Sequence, residues 1–202
     1  MRYLANAVSI VFHPFFLPTY ALLLLFAINP FLFSDDTGGL QARLIMIVMI
    51  NTFIFPFIAI LIMKQIGFVS STELDSREER ILPYIAACLF YFWCYMSIKS
   101  LPINFVASQL MLGATISVFA TFFFNLFFKI SAHSAAMGNL LALIILVYPL
   151  SVYNLNALIF VIIFLGAVVA TARYFLNKHT LVQLASGYIV GFISQWIAFT
   201  FF

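Results

Sequence analysis

Apolar residues run through the chain in long stretches, and the polar positions between them divide it into about seven segments of bilayer-crossing length. A helix rises about 1.5 Å per residue and a hydrocarbon core is about 30 Å thick, so roughly 20 consecutive apolar residues make one crossing. The first stretch, residues 3–33, is interrupted by His13, Pro14 and Pro18, which predicts a spanning helix beginning near Pro14 with a short interfacial or kinked piece ahead of it. Residues 29–39, with Pro30, Asp35, Asp36 and two glycines, read as a polar turn. The second crossing is expected at 40–66, with Asn51 and Pro56 inside it and Lys64 snorkelling at its end. The third covers 81–98, the fourth 103–128 and a shorter fifth ends near Leu150. A turn through Tyr153, Asn154 and Asn156 leads to a sixth that ends near Phe175, and the last runs over 180–202. Its Gly187 and Gly191 form a small-xxx-small pair that lets two helices approach closely. The three phenylalanines at 122–124 are expected to face lipid and neighbouring helices.

Composition turns this pattern into a class. Of the 202 residues 65% are apolar and only 7% charged, whereas a soluble domain carries about a quarter charged residues. The expected fold is therefore all-α, a polytopic transmembrane bundle of six to seven helices forming a single integral membrane domain over residues 1–202. The net charge of +3 is spread over the connections, without the basic stripe that nucleic-acid binding requires. Cys88 and Cys94 fall on different faces of one helix, so neither a disulfide nor a metal pair is indicated, and no cofactor is implied. Arg2 precedes an apolar run with no small-residue cleavage site, and that run reads as a retained anchor.

The polar residues that remain are concentrated in three connections. Residues 67–80 hold Glu73, Asp75, Arg77, Glu78, Glu79 and Arg80, mostly a solvated charge run, but Arg80 stands directly before the third crossing and can reach inward. Residues 129–138 cluster small side chains around His133, and Ser131 just ahead of a helix start is a capping signature at a site suited to anions. Residues 171–183 place Arg173, Lys178 and His179 between two apolar runs, where an ionisable group costs at least a few kcal/mol unless it is paired, hydrated or functional. His179 and Gln183 lie four apart, so the amide oxygen can reach the imidazole and set its tautomer, with Arg173 across the helix break. With seven crossings, connections two, four and six share one membrane side, so Arg80, His133, Arg173 and His179 are expected to converge there. His13 reads as a histidine at the water interface or bonded to a neighbouring helix.

These residues resemble the three motifs of the type 2 phosphatidic acid phosphatase and vanadium haloperoxidase superfamily. Its third motif, Ser-Arg, five residues, His, three residues, Asp, is similar to Ala172-Arg173, His179 and Gln183 at the same intervals. Its second, Pro-Ser-Gly-His, resembles the run from Ile130 through Ser131 to His133. The first is only faintly similar to the segment ending at Arg80: Ile81 replaces its proline, and Glu73 stands where it has lysine. The similarity covers residues 70–195, a phosphatase-like core. It implies that His179 attacks phosphorus and becomes a phosphohistidine, that His133 protonates the leaving group, and that Gln183 orients His179. It implies further that Arg80, Arg173 and Ser131 hold the phosphoryl oxygens, with Lys178, Lys129 or Arg77 in place of the missing lysine. No metal is needed where arginines supply the charge.

The expected activity is hydrolysis of a lipid phosphate or polyprenyl pyrophosphate, with membrane lipids as partners. The alternatives are a degenerate member that binds lipid phosphate without hydrolysis, and a small transporter whose polar residues form a buried network. Arg2, Lys64, Arg77, Arg80, Lys129, Arg173 and Lys178 on the site side against Arg43 and Lys99 opposite favour a cytoplasmic site by the positive-inside rule, while many relatives in the superfamily face outward. The compact size suits a bacterial inner membrane.

Overall fold

The computed structural model describes residues 1–33, 39–71, 74, 76–101 and 105–202, and every regular element among them is helical. The chain is a polytopic membrane helix bundle. Six helical stretches are long and apolar enough to cross a bilayer: Leu40–Gln65, Glu78–Lys99, Phe105–Asn125, Ala132–Leu150, Asn156–Phe175 and Leu181–Phe201. Large apolar side chains such as Trp93, Phe123, Phe160 and Phe164 point outward, as expected where the solvent is lipid. Asp35, Asp36, Glu73, Asp75 and Pro102 lie outside the described residues.

The first apolar stretch divides near His13 and Pro14, as the sequence predicts. It forms two helices, α1 (Arg2–Val11) and α2 (Leu17–Ile28), separated by a turn at 12–16. Pro18 sits in the first turn of α2, where its missing N–H breaks no hydrogen bond. At 12 residues α2 is about 18 Å long, yet with its flanking turns it covers the same depth as α7 (Ala132–Val147). At one end the His13 ring meets the His133 ring, and at the other Asn29 donates to the Leu150 carbonyl while Ser151 donates to that of Ile28. The stretch 13–29 is thus the seventh traverse of the bundle.

The second crossing contains a widened turn. Between α3 (Leu40–Met49) and α4 (Phe55–Gln65) lies a π-helical segment, Ile50–Ile54. Pro56 has no N–H to offer the preceding turn, and its ring crowds the carbonyl four residues back, so the backbone accommodates one extra residue. The bulge has a positional result. Thr52, which it carries, donates its hydroxyl to the Phe15 carbonyl at 3.1 Å, and Tyr91 of α5 (Ile81–Lys99) donates to the Pro14 carbonyl at 3.3 Å. Two buried hydroxyls on different helices therefore pin the turn that carries His13.

Three helices complete the bundle: α6 (Phe105–Asn125), α8 (Asn156–Phe175) and α9 (Leu181–Phe201). The contact of α7 with α9 is backbone on backbone. A Cβ added to Gly191 would lie 1.8 Å from the Ala135 carbonyl oxygen, one on Gly187 2.5 Å from that of Ser131, and one on Gly138 2.0 Å from that of Tyr188. The small-residue pair read from the sequence packs helices, and Gly138 answers it from the other side. Leu22, Leu25, Leu44, Met111, Leu143 and Ile144 fill the interior between α2, α3, α6 and α7. Cys88 and Cys94 are both buried and unbridged.

Candidate functional site

Four of the residues singled out in the sequence meet at one end of the bundle, together with a fifth. Arg80, His133, Arg173 and His179 line a cavity of about 170 Å³, and His13 lines it with them. Each arrives on a different element. Arg80 closes a short 3₁₀ turn before α5, His133 is in the first turn of α7, Arg173 in the last turn of α8, and His179 in the connection to α9. The convergence of connections two, four and six is as expected; the arrival of His13 from the first stretch is not.

Below this polar end the cavity is lined mainly by apolar side chains, with Ser117, Thr121 and Asn139 set among them. Its walls follow α5 from Pro83 to Tyr91, α6 from Thr121 to Leu110 and α7 from Ala132 to Leu140, with Leu17, Pro18 and Ala21 of α2 facing them. At about 1.5 Å per residue these spans make it about 12–16 Å deep.

Local sequence explains how the chain between α8 and α9 presents His179. Asn177 adopts φ +56°, with Lys178 N–H donating to the Arg173 carbonyl and Asn177 N–H to that of Tyr174, the paired bonds of a Schellman ending. Asparagine tolerates the left-handed conformation better than other non-glycine residues. Three residues on, Thr180 caps α9: its hydroxyl accepts the Gln183 N–H, and the Gln183 side-chain oxygen accepts the Thr180 N–H. The same Gln183 oxygen stands 3.1 Å from His179 Nδ1. An amide oxygen can only accept, so His179 carries its hydrogen on Nδ1 and Nε2 keeps its lone pair. The pairing of His179 with Gln183 was legible in the sequence. The capping box Thr180-x-x-Gln183, equally legible in principle, escaped notice and explains why the amide is held still.

The other imidazoles are fixed by the same reasoning. His133 Nε2 lies 3.0 Å from the Ser9 carbonyl of α1 and must donate to it. His13 Nδ1 accepts the Phe15 N–H at 3.3 Å, so its hydrogen is on Nε2. The His13 and His133 rings meet edge to face at 5.3 Å between centroids. Arg80, 8% exposed, donates Nε to the Leu74 carbonyl at 2.7 Å and Nη1 to that of Ile130 at 3.4 Å, which leaves three of its five N–H groups without an acceptor among the described residues.

The other residues expected at the site stand apart from this cavity. Ser131 does not line the cavity: its hydroxyl accepts the Ser134 N–H as the cap of α7 and is fully buried. Lys178 and Lys129 line a separate, more open basin on the outer side, with Asn177, Thr180 and Gln183, and His179 forms the wall between the two spaces. Arg77 is turned away, donating to Glu78 and to the Phe127 carbonyl. Glu78 is exposed, as a solvated run predicts.

The electrostatics keep His179, in the connection between α8 and α9, neutral. Burial, and then the cations of Arg80, Arg173 and Lys129, hold it down at about 3 against the pull of its bond to Gln183. That value lies below the usual 6.5, so the unfolded chain binds more protons than the native one between about pH 3 and 6.5. The stability this group contributes is therefore complete above pH 6.5 and lost as the pH falls toward 3, by on the order of a few kcal/mol. The melting temperature in detergent is expected to drop between pH 7 and pH 4, and less steeply in His179→Gln. Equal slopes would show that this ring is not buried neutral.

Compared with family profiles, curated proteins and solved structures, the chain matches none of them.

Proposed function

We propose that this chain is an integral membrane phosphatase acting on a lipid phosphate or polyprenyl pyrophosphate through a phosphohistidine at His179, in a bacterial inner membrane. One observation carries the reading. A cavity with two arginines and three imidazoles at one end continues into the bundle as a mainly apolar slot, which matches an anionic head group joined to a hydrocarbon tail. The motif resemblance of residues 70–195 adds the order of events.

His179 Nε2, with its lone pair unprotonated, forms a bond to phosphorus as the bond from phosphorus to the leaving oxygen breaks. His133, with its Nε2–H anchored on Ser9, has only the Nδ1 lone pair to offer, so it first takes the acidic proton of the bound monoanionic phosphate at Nδ1 and then gives that proton to the leaving oxygen. Water then attacks the phosphohistidine and gives a proton to His133 Nδ1, which passes it to the departing inorganic phosphate and is neutral again. Arg80 and Arg173 face the developing charge on the equatorial oxygens, and burial strengthens their effect by lowering the local dielectric. Lys129 and Lys178 in the outer basin raise the local concentration of anions beside His179.

A second reading is favoured by one residue. Gln183 orients His179 but brings no negative charge to stabilise an imidazolium, and loss of that charge in a comparable triad lowers the rate by about four orders of magnitude. A lipid-phosphate binder that does not hydrolyse would have this composition.

Detergent-purified protein tested for phosphate release from phosphatidic acid, phosphatidylglycerol phosphate and undecaprenyl pyrophosphate separates the two. Release from at least one substrate, with a base-stable, acid-labile phosphoenzyme trapped during turnover, is the expected result. Binding of these lipids without release would select the binder, and neither release nor binding would end both readings.

A further inference from the structure

Of the three histidines at the cavity, two have their single N–H taken by the protein: His133 by the Ser9 carbonyl and His179 by Gln183. His13 is the reverse case. Its Nδ1 is the side that the protein occupies, by the Phe15 N–H, and its Nε2–H is the one imidazole N–H of the three that has no acceptor among the described residues. The ring lines the cavity on the same wall as His133.

We infer that His13 is a further catalytic residue, a neutral hydrogen-bond donor whose Nε2–H contacts a non-bridging oxygen of the bound phosphoryl group. The inference rests on the lipid-phosphate reading of this cavity and adds a residue from outside the stretch that resembles the phosphatase superfamily.

Three features support the role. The turn bearing His13 is held by hydroxyls from two helices, Thr52 on the Phe15 carbonyl and Tyr91 on the Pro14 carbonyl, so the ring is preorganised. Among the described residues, the charged and titratable groups that line the cavity with it are Arg173 from α8, His133 from α7, Tyr84 and Tyr91 from α5, and Arg80 and His179, none of them a carboxylate. In that cationic setting, and with Nδ1 accepting a backbone N–H, the imidazole stays uncharged. A neutral imidazole is a poor proton donor but a good electrophilic partner for an oxygen that gains charge. Proton relay stays with His133, whose Nδ1 has no partner among the described residues, whereas the His13 Nδ1 is taken by the Phe15 N–H; His13 instead adds a third donor to Arg80 and Arg173, which matches the three equatorial oxygens of a transferring phosphoryl group.

The test compares full-length wild type, His13→Ala and His13→Gln, all with unchanged melting profiles in detergent, by two readouts. One is calorimetric binding of inorganic phosphate; the other is kcat/KM for release from phosphatidic acid in mixed micelles. His13→Ala is expected to weaken phosphate binding about tenfold or more and to lower kcat/KM by about 10²- to 10³-fold. His13→Gln, whose side-chain N–H can occupy the place of Nε2–H, is expected to recover most of both, which a proton-transfer or purely packing role would not permit. Wild-type phosphate binding that depends on His13 without any hydrolysis would uphold the donor and remove the phosphatase reading. Absence of phosphate binding by the wild type, binding and hydrolysis unchanged in His13→Ala, or no recovery in His13→Gln would each overturn the inference.

Discussion

Gly191→Ala is expected to destabilise the protein by several kcal/mol, enough to lower its melting temperature sharply in detergent and to abolish activity with it. The added Cβ would meet the Ala135 carbonyl oxygen at 1.8 Å, its carbon at 2.6 Å and the Ala135 Cα at 2.8 Å. All three are main-chain atoms of α7, so no rotamer change relieves the clash and the helices must separate. Overpacking against movable side chains typically costs 1–3 kcal/mol, and a rigid backbone contact lies at the upper end or beyond. The damage reaches the site because α7 and α9 carry it jointly. Ser131 N–H donates to the Gln183 carbonyl at 3.2 Å across this interface, joining the start of α7 to the residue that holds His179. Gly39→Ala is the control, since its added Cβ meets nothing within 4 Å. A Gly191→Ala protein that melts and works like the control would show that α7 and α9 do not pack as described.

Removing the proposed nucleophile has the largest expected catalytic effect. His179→Ala should reduce phosphate release by about four orders of magnitude or more and leave no trapped phosphoenzyme, by analogy with loss of a nucleophile or base from other catalytic units. The fold has little reason to suffer, because the cap of α9 belongs to Thr180 and Gln183. Gln183→Glu probes the missing charge. A carboxylate there can still accept from Thr180 N–H and His179 Nδ1–H, and it lies at a helix N-terminus where an anion is favoured. It should raise the basicity of His179 and speed hydrolysis at neutral pH, while Gln183→Leu slows it. Phosphohistidine formed normally in His179→Ala would place the nucleophile on another residue, and a rate unchanged in both Gln183 variants would deny the amide its orienting role.

Much of the site was legible because its signals are local. Spacing predicted the bond between His179 and Gln183 four residues apart, although His179 stands ahead of the Thr180 cap and not on the helix; the local cause is the capping box, which turns the Gln183 amide back over the start of α9. Ser131 could be read as a helix cap for the same reason, although its second expected role, as a phosphate ligand, conflicts with a hydroxyl that is buried against its own helix. Apolar periodicity located most crossings to within a few residues: α6 ends at Asn125, where the pattern suggested Phe128.

Local sequence offers no reason to set His13 beside the other cavity residues, because the ring it packs on is not local. The ring meets His133, 120 positions away in the chain, through contacts that only the packed bundle creates. One signal was available. The break at His13 and Pro14 falls on the same membrane side as connections two, four and six, and counting crossings would have set it beside them.

The sequence by itself determined the solvent of this protein, its all-helical bundle architecture, the helix that must pack through Gly187 and Gly191, and the gathering of its polar residues at one end. Each of these follows from composition, from 3.6-residue periodicity or from backbone sterics, which act within a few neighbours. Tertiary structure alone decided which N–H each imidazole has left to give, that Ser131 and Lys178 stand off the cavity while His13 joins it, and that the polar end continues into a mainly apolar slot. Those outcomes depend on which carbonyl or hydroxyl a distant helix brings within about 3 Å, a distance set by the packing of all the helices together.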